Sequence, residues 1–170
     1  MSKPLFKEKV SKTLISHKGF DHNLMRYHYS YKGHKFVVDC MGMENYLLRQ
    51  QYFYNKSDVK IIPEPGDFVV DGGSCMGDTT VLFASLIGYK GKVYAFDPVK
   101  EHLDLMAYNK KQNLRCNIEI FPYGISNSTL KAEPLSLKMY SPDFNGADLK
   151  IPSCSIKMDI EGWEMKAIQG

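Results

Sequence analysis

The sequence predicts an α/β fold whose main sheet is mostly parallel. Three observations indicate this class. Strand-like and helix-like segments alternate after residue 63, the first of these strands is a short continuous apolar run, and a glycine-rich loop joins that strand to a helix. A parallel sheet needs crossover connections, which the helical segments supply. The break that opens this part of the chain is Pro63-Glu64-Pro65-Gly66, a strong turn signal.

Residues 1–62 lack this rhythm, and for them we predict a separate N-terminal hairpin and helix extension. Leu5, Val10 and Leu14 suggest a short helix at the start. A second helix is predicted from Glu44 to about Tyr54. The sequence therefore divides into an extension, residues 1–62, and a second domain, residues 63–170.

A β-hairpin is predicted between these two helices. Apolar and polar residues alternate over 25–31, Lys32-Gly33 is a turn signal, and 34–39 reads as the returning strand. The aromatic residues of this hairpin could form the lip of a substrate site or simply its packed face, and we favour the packed face. They are Tyr27, Tyr29, Tyr31 and Phe36.

The second domain is predicted to contain four core strands. They cover residues 67–71, 92–96, 118–121 and 155–160, and the helices cover 78–87, about 99–111 and 161–169. The alternation of Leu135, Leu137 and Met139 suggests a smaller strand.

Composition excludes several classes of protein. Twenty-two basic and 19 acidic residues among 170 give a net charge of +3, and the lysines are scattered rather than gathered in the basic stripe of a nucleic-acid binder. No apolar run is long enough to span a membrane, and the first residues do not predict a secretory signal, because no apolar stretch follows them. The four cysteines are too far apart to form a C-x-x-C pair, which favours a reducing, cytoplasmic compartment.

The most informative segment is the glycine loop after the first core strand. It contains Asp71, Gly72, Gly73 and Gly77, in the order acid-x-Gly-x-x-x-Gly. Counted from Gly72, the middle glycine of the dinucleotide fingerprint is missing. An acid before the loop repels phosphate and attracts an ammonium group, which favours a zwitterionic amino-acid ligand such as the methionyl group of S-adenosylmethionine. The alternative is a loop that only turns the chain.

A second acid, Asp97, ends the next predicted strand, 26 positions after Asp71. An acid about 20 residues beyond a glycine loop is where a ribose hydroxyl pair is held. Alone, such a residue is usually a helix N-cap, and Pro98 together with the helix behind it fits that alternative. Taken with the glycine loop, ribose binding is the favoured interpretation.

The chain resembles class I S-adenosylmethionine-dependent methyltransferases, and more narrowly the FkbM family of O-methyltransferases. Four blocks carry the resemblance over about residues 63–170, and the last of them is the most specific to the family. They are Phe68-Val69-Val70-Asp71-Gly72-Gly73 with Gly77, Ala95-Phe96-Asp97-Pro98, Tyr123-Gly124-Ile125-Ser126, and Ile156-Lys157-Met158-Asp159-Ile160-Glu161-Gly162-Trp163-Glu164. The family more often has Glu where Asp97 stands.

The resemblance implies a Rossmann-like class I methyltransferase sheet that binds S-adenosyl-L-methionine. The family's sheet has seven strands and this sequence ends after the fourth, so we expect a sheet lacking its last strands. The last strand present would then be a bare edge that invites pairing with a second copy of the chain. The implied cofactor-binding residues are Asp71, Gly72, Gly73, Gly77, Asp97, Tyr123 and Gly124.

The reaction implied by the resemblance is methyl transfer to a hydroxyl of a small molecule or sugar. Such a reaction needs alignment of the acceptor oxygen and often a base for its proton. Asp159 and Glu161, at the carboxyl end of the fourth strand, are the candidates, and they could instead be acids that only stabilise a helix N-terminus. No third metal ligand accompanies them, so no metal is predicted, and His102 is placed on a surface-like position of its helix.

Two other functions stay open from the sequence alone. One is a nicotinamide-dependent oxidoreductase, which the missing glycine argues against. The other is a non-catalytic, truncated methyltransferase fold. No nucleic-acid partner and no membrane are expected.

Overall fold

The computed structural model describes residues 10–17, 20, 23–47, 49–56, 59–125, 155–160, 162 and 164–165. The N-terminal elements are β1 (Ser11–Ile15), β2 (Leu24–Tyr31), β3 (His34–Cys40), α1 (Glu44–Leu47), β4 (Tyr54–Lys56) and β5 (Val59–Ile61). The later elements are β6 (Phe68–Gly72), α2 (Asp78–Ile87), β7 (Lys92–Phe96), α3 (Lys100–Gln112), β8 (Ile118–Phe121) and β9 (Ser155–Met158).

The later elements, β6 to β9 with α2 and α3, confirm the predicted α/β fold. Four parallel strands form one sheet in the order β8-β7-β6-β9. The chain therefore runs outward from β6 through β7 to β8 and returns on the other side of β6 as β9. This is the 3-2-1-4 order of doubly wound sheets, in which ligands bind outside the carboxyl ends of the strands where the order reverses. Here that reversal lies between β6 and β9.

The first three strands form a separate antiparallel sheet in the order β1-β2-β3. The predicted hairpin is present, and Lys32 and Gly33 form its turn with φ of 48° and 78°. A two-residue turn with positive φ at both positions matches the right-handed twist of the flanking strands. Tyr27 and Tyr29 are 1% and 2% exposed, which confirms that the hairpin aromatics form a packed face.

Helices α2 and α3 lie between the two sheets and hold them together. Both contact β3 on one side and strands of the parallel sheet on the other, and every residue of α2 is buried. Asn109 on α3 and Asn113, which follows the last residue of α3, form hydrogen bonds with the backbone of Asp39 and Val37 on β3. Because β3 is an outer strand, these side chains supply partners that a neighbouring strand would otherwise give.

Two helix predictions in the extension are wrong. Ser11–Ile15 is a strand, since its residues pair with β2 rather than bury one helical face. The helix that begins at Glu44 ends at Leu47, and Tyr54–Lys56 pairs with β5 as a short hairpin. In both places, hydrogen bonding to an adjacent strand outweighs the helix preference of the local sequence. The smaller strand suggested over 135–139 lies outside the described residues.

The hydrophobic core is shared by the two sheets and the helices between them. Tyr27 and Val38 from the antiparallel sheet belong to the same buried cluster as Val69, Leu82 and Val93. Within the described ranges, no helix has both the length and the apolar character needed to cross a membrane.

Candidate functional site at the carboxyl edge of the parallel sheet

The glycine loop is fixed against the end of β7 by backbone hydrogen bonds. The amides of Gly73 and Ser74 both donate to the carbonyl of Phe96 at 3.0 Å. The Ser74 hydroxyl donates to the carbonyl of Asp71 at 2.5 Å, and it is fully buried. The loop is therefore rigidly placed at the carboxyl ends of β6 and β7.

Glycine is required in this loop by close approaches within the chain. Gly73 has φ of 70°, and a Cβ there would lie 1.9 Å from the carbonyl oxygen of Asp159. Gly77 has φ of 82°, and its Cβ would meet the Met106 side chain at 2.6 Å. The absence of a Cβ at Gly73 lets the loop meet the end of β9, and its absence at Gly77 lets α2 pack on α3.

Asp71, predicted to attract a ligand's ammonium group, is fully buried and already has partners. One carboxylate oxygen accepts hydrogen bonds from the hydroxyls of Thr79 and Thr80 at 2.8 and 2.7 Å. The other lies 3.0 Å from the ammonium of Lys157 on β9. The cation beside Asp71 is thus Lys157 of the same chain, and not the ammonium group of a ligand that the sequence analysis expected.

Lys157 links the loop to β9 and to the N-terminal extension. Its side chain is 8% exposed, and its ammonium donates to the carbonyls of Gly72 and Gly73 at 3.2 and 2.9 Å. The ammonium also lies 5.2 Å from the centre of the Tyr52 ring. These contacts give the buried ammonium the polar partners that the burial of such a group requires.

Asp97 lies at the end of β7 with both carboxylate oxygens engaged. One accepts the Cys75 amide at 2.9 Å. The other accepts the Val99 amide at 2.9 Å and lies 3.0 Å from Nδ1 of His102. The bond to Val99, two positions along the chain, closes a local turn before α3. Val99 itself is the N-cap of α3 and has no side-chain capping bond, so Asp97 is not the N-cap that the sequence offered as an alternative. Its position beside the loop is the one expected for ribose binding.

His102 is not on the surface-like position that the sequence predicted. Its side chain is 28% exposed and faces Asp97 rather than solvent. Bonding to Asp97, and then to Cys75, raises the pKa of His102 to about 10. The imidazole is therefore a cation at neutral pH.

Asp159 follows β9 and is exposed at the same edge. Its backbone amide donates to the carbonyl of Gly72 at 3.0 Å, and its carboxylate accepts the Tyr52 hydroxyl at 2.7 Å. Tyr52 stacks on Tyr46 with ring centres 5.3 Å apart. Burial and the bond to Asp159 raise the pKa of Tyr52, so the phenol is a proton donor. Glu161, the other predicted catalytic residue, lies outside the described residues.

Asp78 is a further buried acid at this edge. It begins α2, is 8% exposed and, among the described residues, forms no ion pair. Burial raises the pKa of Asp78 to about 6, against the bonds it accepts from backbone amides. A buried carboxylate in this condition gains from a ligand that brings positive charge.

The remaining predicted residues, Tyr123 and Gly124, follow β8. A Cβ on Gly124 would lie 4.0 Å from the Pro98 ring, so this segment borders the residue next to Asp97. No group of three His, Cys, Asp or Glu side chains suited to a metal ion occurs in the described part of the chain.

Lys157, Tyr52, Asp78 and His102 are the residues that the sequence analysis missed. A lysine between two apolar residues, Ile156 and Met158, in a strand of a parallel sheet is itself a signal of a buried ion pair. The five-residue spacing of Asp97 and His102, across a helix start, could have indicated their contact. Nothing in the sequence indicates that Tyr52 reaches Asp159, 107 positions away.

Comparisons with known proteins find only partial structural likenesses. No family model and no curated protein matches the chain. A SAM-dependent methyltransferase from Aquifex aeolicus is similar, with 25% identity, 38% of this chain and 34% of that chain covered, and a TM-score of 0.35.

Two further structures cover more of the chain at lower identity. Aeropyrum pernix fibrillarin with natively bound S-adenosyl-L-methionine has 14% identity, covers 67% of this chain and 58% of that one, and has a TM-score of 0.44. A SAM-dependent O-methyltransferase from Thermotoga maritima has 16% identity, 59% and 42% coverage, and a TM-score of 0.36. The chain thus spans less than two thirds of each structure, and these overlaps by themselves assign it no activity.

Proposed function

We propose that the carboxyl edge of the parallel sheet binds S-adenosyl-L-methionine and that the protein is a methyltransferase acting on a hydroxyl of a small molecule or sugar. One observation carries this proposal. A rigid glycine loop lies at the point where the strand order reverses, and the acid Asp97 stands beside it at the end of the neighbouring strand.

The balance of charge at this edge supports a cationic ligand. Four described carboxylates lie here, and two of them have internal cations: Asp71 has Lys157 and Asp97 has His102. Asp78 and Asp159 form no ion pair with the described residues. S-Adenosylmethionine brings a sulfonium and an ammonium group, whereas the pyrophosphate of a nicotinamide cofactor would add negative charge next to these acids.

The proposal gives each acid a separate task. Because Lys157 already neutralises Asp71, we assign Asp71 to anchoring the loop and Asp78 to the ligand's ammonium group. Asp97 is assigned to the ribose hydroxyls. A carboxylate has about four acceptor positions, and Asp97 uses three of them on Cys75, Val99 and His102. Tyr123 and Gly124 border the same region through Pro98.

The bound cofactor would supply an electrophilic methyl group, and the chain's residues would position and deprotonate the acceptor. Asp159 is open to solvent and can accept the proton of an acceptor hydroxyl. The hydroxyl of Tyr52 holds the Asp159 carboxylate in place at 2.7 Å. Glu161, two positions further along the chain, is the second candidate base.

We further assign the protein to a reducing, cytoplasmic compartment, with no nucleic-acid or membrane partner. The free thiols of Cys40, Cys75 and Cys116 support the compartment. Self-association through β9 is also proposed, because in the described part of the sheet β9 pairs only with β6 and Ile156 on it is 60% exposed.

Calorimetric titration with S-adenosylhomocysteine and, separately, with NAD tests the cofactor assignment. We expect the first to bind and the second not to. Asp97→Ala should weaken binding by one charged hydrogen bond, about 1.5–3 kcal/mol, or roughly 10- to 150-fold. Asp104→Ala, which removes an exposed acid from α3, is the matched control and should leave affinity unchanged.

Three results would each overturn one part of the proposal: the cofactor, the role of Asp97, or catalysis. Binding of NAD without binding of S-adenosylhomocysteine would favour an oxidoreductase. Equal affinity of Asp97→Ala and the unaltered protein, with both proteins folded by circular dichroism, would reduce Asp97 to a structural residue that only holds the amides of Cys75 and Val99. Binding without transfer of a labelled methyl group to any hydroxyl acceptor would support the non-catalytic alternative.

A further inference from the structure

Cys75, His102 and Asp97 form a chain of contacts beside the glycine loop. The Cys75 sulfur lies 3.8 Å from Nε2 of His102, and Nδ1 of the same ring lies 3.0 Å from an oxygen of Asp97. The second Asp97 oxygen accepts the Cys75 amide at 2.9 Å. Thiol, imidazole and carboxylate are thus connected in the order used by enzymes that activate a cysteine nucleophile.

The backbone holds Cys75 in an unusual conformation. Its φ is 46°, in the left-handed region that non-glycine residues rarely occupy. Residues held in this way are concentrated at functional sites, because the surrounding structure must stabilise them. Here that support comes from the hydrogen bond that the Cys75 amide donates to Asp97, and from the hydrogen bonds that fix the amides of Gly73 and Ser74.

The other described cysteines differ from Cys75. Cys40 and Cys116 are 1% and 7% exposed. Burial raises the pKa of both thiols, that of Cys116 to about 12, so they remain protonated and unreactive. Cys75 is only half-buried and, among these three, it alone contacts a histidine.

The charge next to Cys75 favours its reaction with an electrophile. His102 is protonated at neutral pH, since Asp97 and then Cys75 raise its pKa to about 10. A cation at hydrogen-bond distance stabilises a thiolate, the reactive form of cysteine. The other titratable groups facing this thiol are Asp97 itself and the phenol of Tyr46, whose pKa is raised to about 12, chiefly by burial.

We propose that Cys75, activated by His102 and oriented through Asp97, is a nucleophilic site that reacts with soft alkylating electrophiles at the mouth of the glycine loop. In this step the sulfur attacks the electrophilic carbon, a carbon–sulfur bond forms, and the leaving group departs with the electron pair of its former bond to carbon. The thiol proton is released to solvent, and His102 stays protonated throughout. No oxidant or further reactant is needed.

A second part of the inference rests on the proposed function. If Asp97 holds the cofactor's ribose, a group attached to the Cys75 sulfur would occupy space next to it, because the Cys75 amide is bonded to the same carboxylate. Alkylation and cofactor binding would then exclude each other.

Alkylation of the folded chain by iodoacetamide tests the reactive site. Peptide mass spectrometry follows the four cysteines separately while the pH is varied from 6 to 9. We expect Cys75 to react at least tenfold faster than Cys40 and Cys116 at pH 7. His102→Gln should slow the alkylation of Cys75 at least fivefold at pH 6. By pH 9, the Cys75 alkylation rates of the variant and the unaltered protein should converge. His34→Gln, which removes an exposed histidine near Arg115, is the matched control.

The outcomes separate the two parts. Equal Cys75 rates in the unaltered protein and His102→Gln at pH 6 would overturn the activated site, provided that thermal unfolding shows both folded. If His102→Gln does not fold, a Cys75 rate in the unaltered protein that rises tenfold per pH unit from 6 to 8, as for an ordinary thiol, overturns it instead. Protection of Cys75 by S-adenosylhomocysteine supports the second part. If Cys75 is alkylated fast and bound S-adenosylhomocysteine does not slow this reaction, only the mutual exclusion of alkylation and cofactor binding is overturned.

Discussion

The buried pair of Lys157 and Asp71 should dominate the stability of the candidate site. The Lys157→Met variant keeps the length of the side chain and removes its charge. It leaves Asp71, which is fully buried, without a cation, and it leaves the carbonyl of Gly73 without its ammonium donor, while the carbonyl of Gly72 keeps the bond from the Asp159 amide. The lost charge is more serious than the lost packing, because an unpaired buried carboxylate has neither water nor a counter-ion.

The expected loss is about 3–5 kcal/mol, the usual cost of breaking a buried ion pair from one side. That is a large fraction of the roughly 5–15 kcal/mol by which a domain is stable. Removing the charge of Asp71 as well should recover part of the lost free energy of unfolding. In Asp71→Asn/Lys157→Met the amide oxygen can still accept from Thr79 and Thr80, so we expect the double variant to be about 2 kcal/mol more stable than Lys157→Met.

Urea unfolding followed by circular dichroism measures these differences. Lys60→Met is the matched control, since it breaks an ion pair with Glu64 in which both side chains are more than half exposed. It should leave the unfolding midpoint unchanged. The reasoning is refuted if Lys157→Met unfolds at the same urea concentration as the unaltered protein, or if the double variant is less stable than Lys157→Met.

Two further predictions concern the loop and helix α2. Gly73→Ala should lower the melting temperature much more than Gly88→Ala, because both glycines have φ of 70° but only Gly73 has backbone within 4 Å of the new Cβ; equal shifts would contradict the close approach to Asp159. Burial raises the pKa of Asp78 to about 6, so the folded state binds its proton more tightly than the unfolded state and stability falls as pH rises from about 4 through 6. Asp78→Asn should therefore be more stable than the unaltered protein at pH 7.5, by about 3 kcal/mol at most, and not at pH 3.5, as measured by urea unfolding; a pH-independent difference would contradict this.

The parallel sheet was predictable because its signals are local. The apolar run before the glycine loop and the alternation of strands with helices gave α2 as Asp78–Ile87 and β7 as Lys92–Phe96, as observed. The extension was less predictable because its strands form by pairing. Nothing within Ser11–Ile15 itself indicates that β2 is its neighbour.

The candidate site was predictable in position and less so in its contacts. The glycine loop and Asp97 do lie together at the carboxyl edge, as the α/β rule requires. The partners of Asp71 were not predictable, because a carboxylate attracts an internal lysine and a ligand's ammonium by the same electrostatic force. Only the register that places Lys157 beside Asp71 distinguishes the two.

The N-terminal extension contributes directly to this site. Tyr52 lies between two short elements of the extension, yet its hydroxyl bonds Asp159 and its ring faces the ammonium of Lys157. Tyr46 stacks on Tyr52 and so fixes its ring. Under the proposed function, an acceptor hydroxyl at Asp159 would lie beside the Tyr52 hydroxyl that bonds the same carboxylate. The extension is therefore the part of the chain in which we expect substitutions to change acceptor choice without changing cofactor affinity.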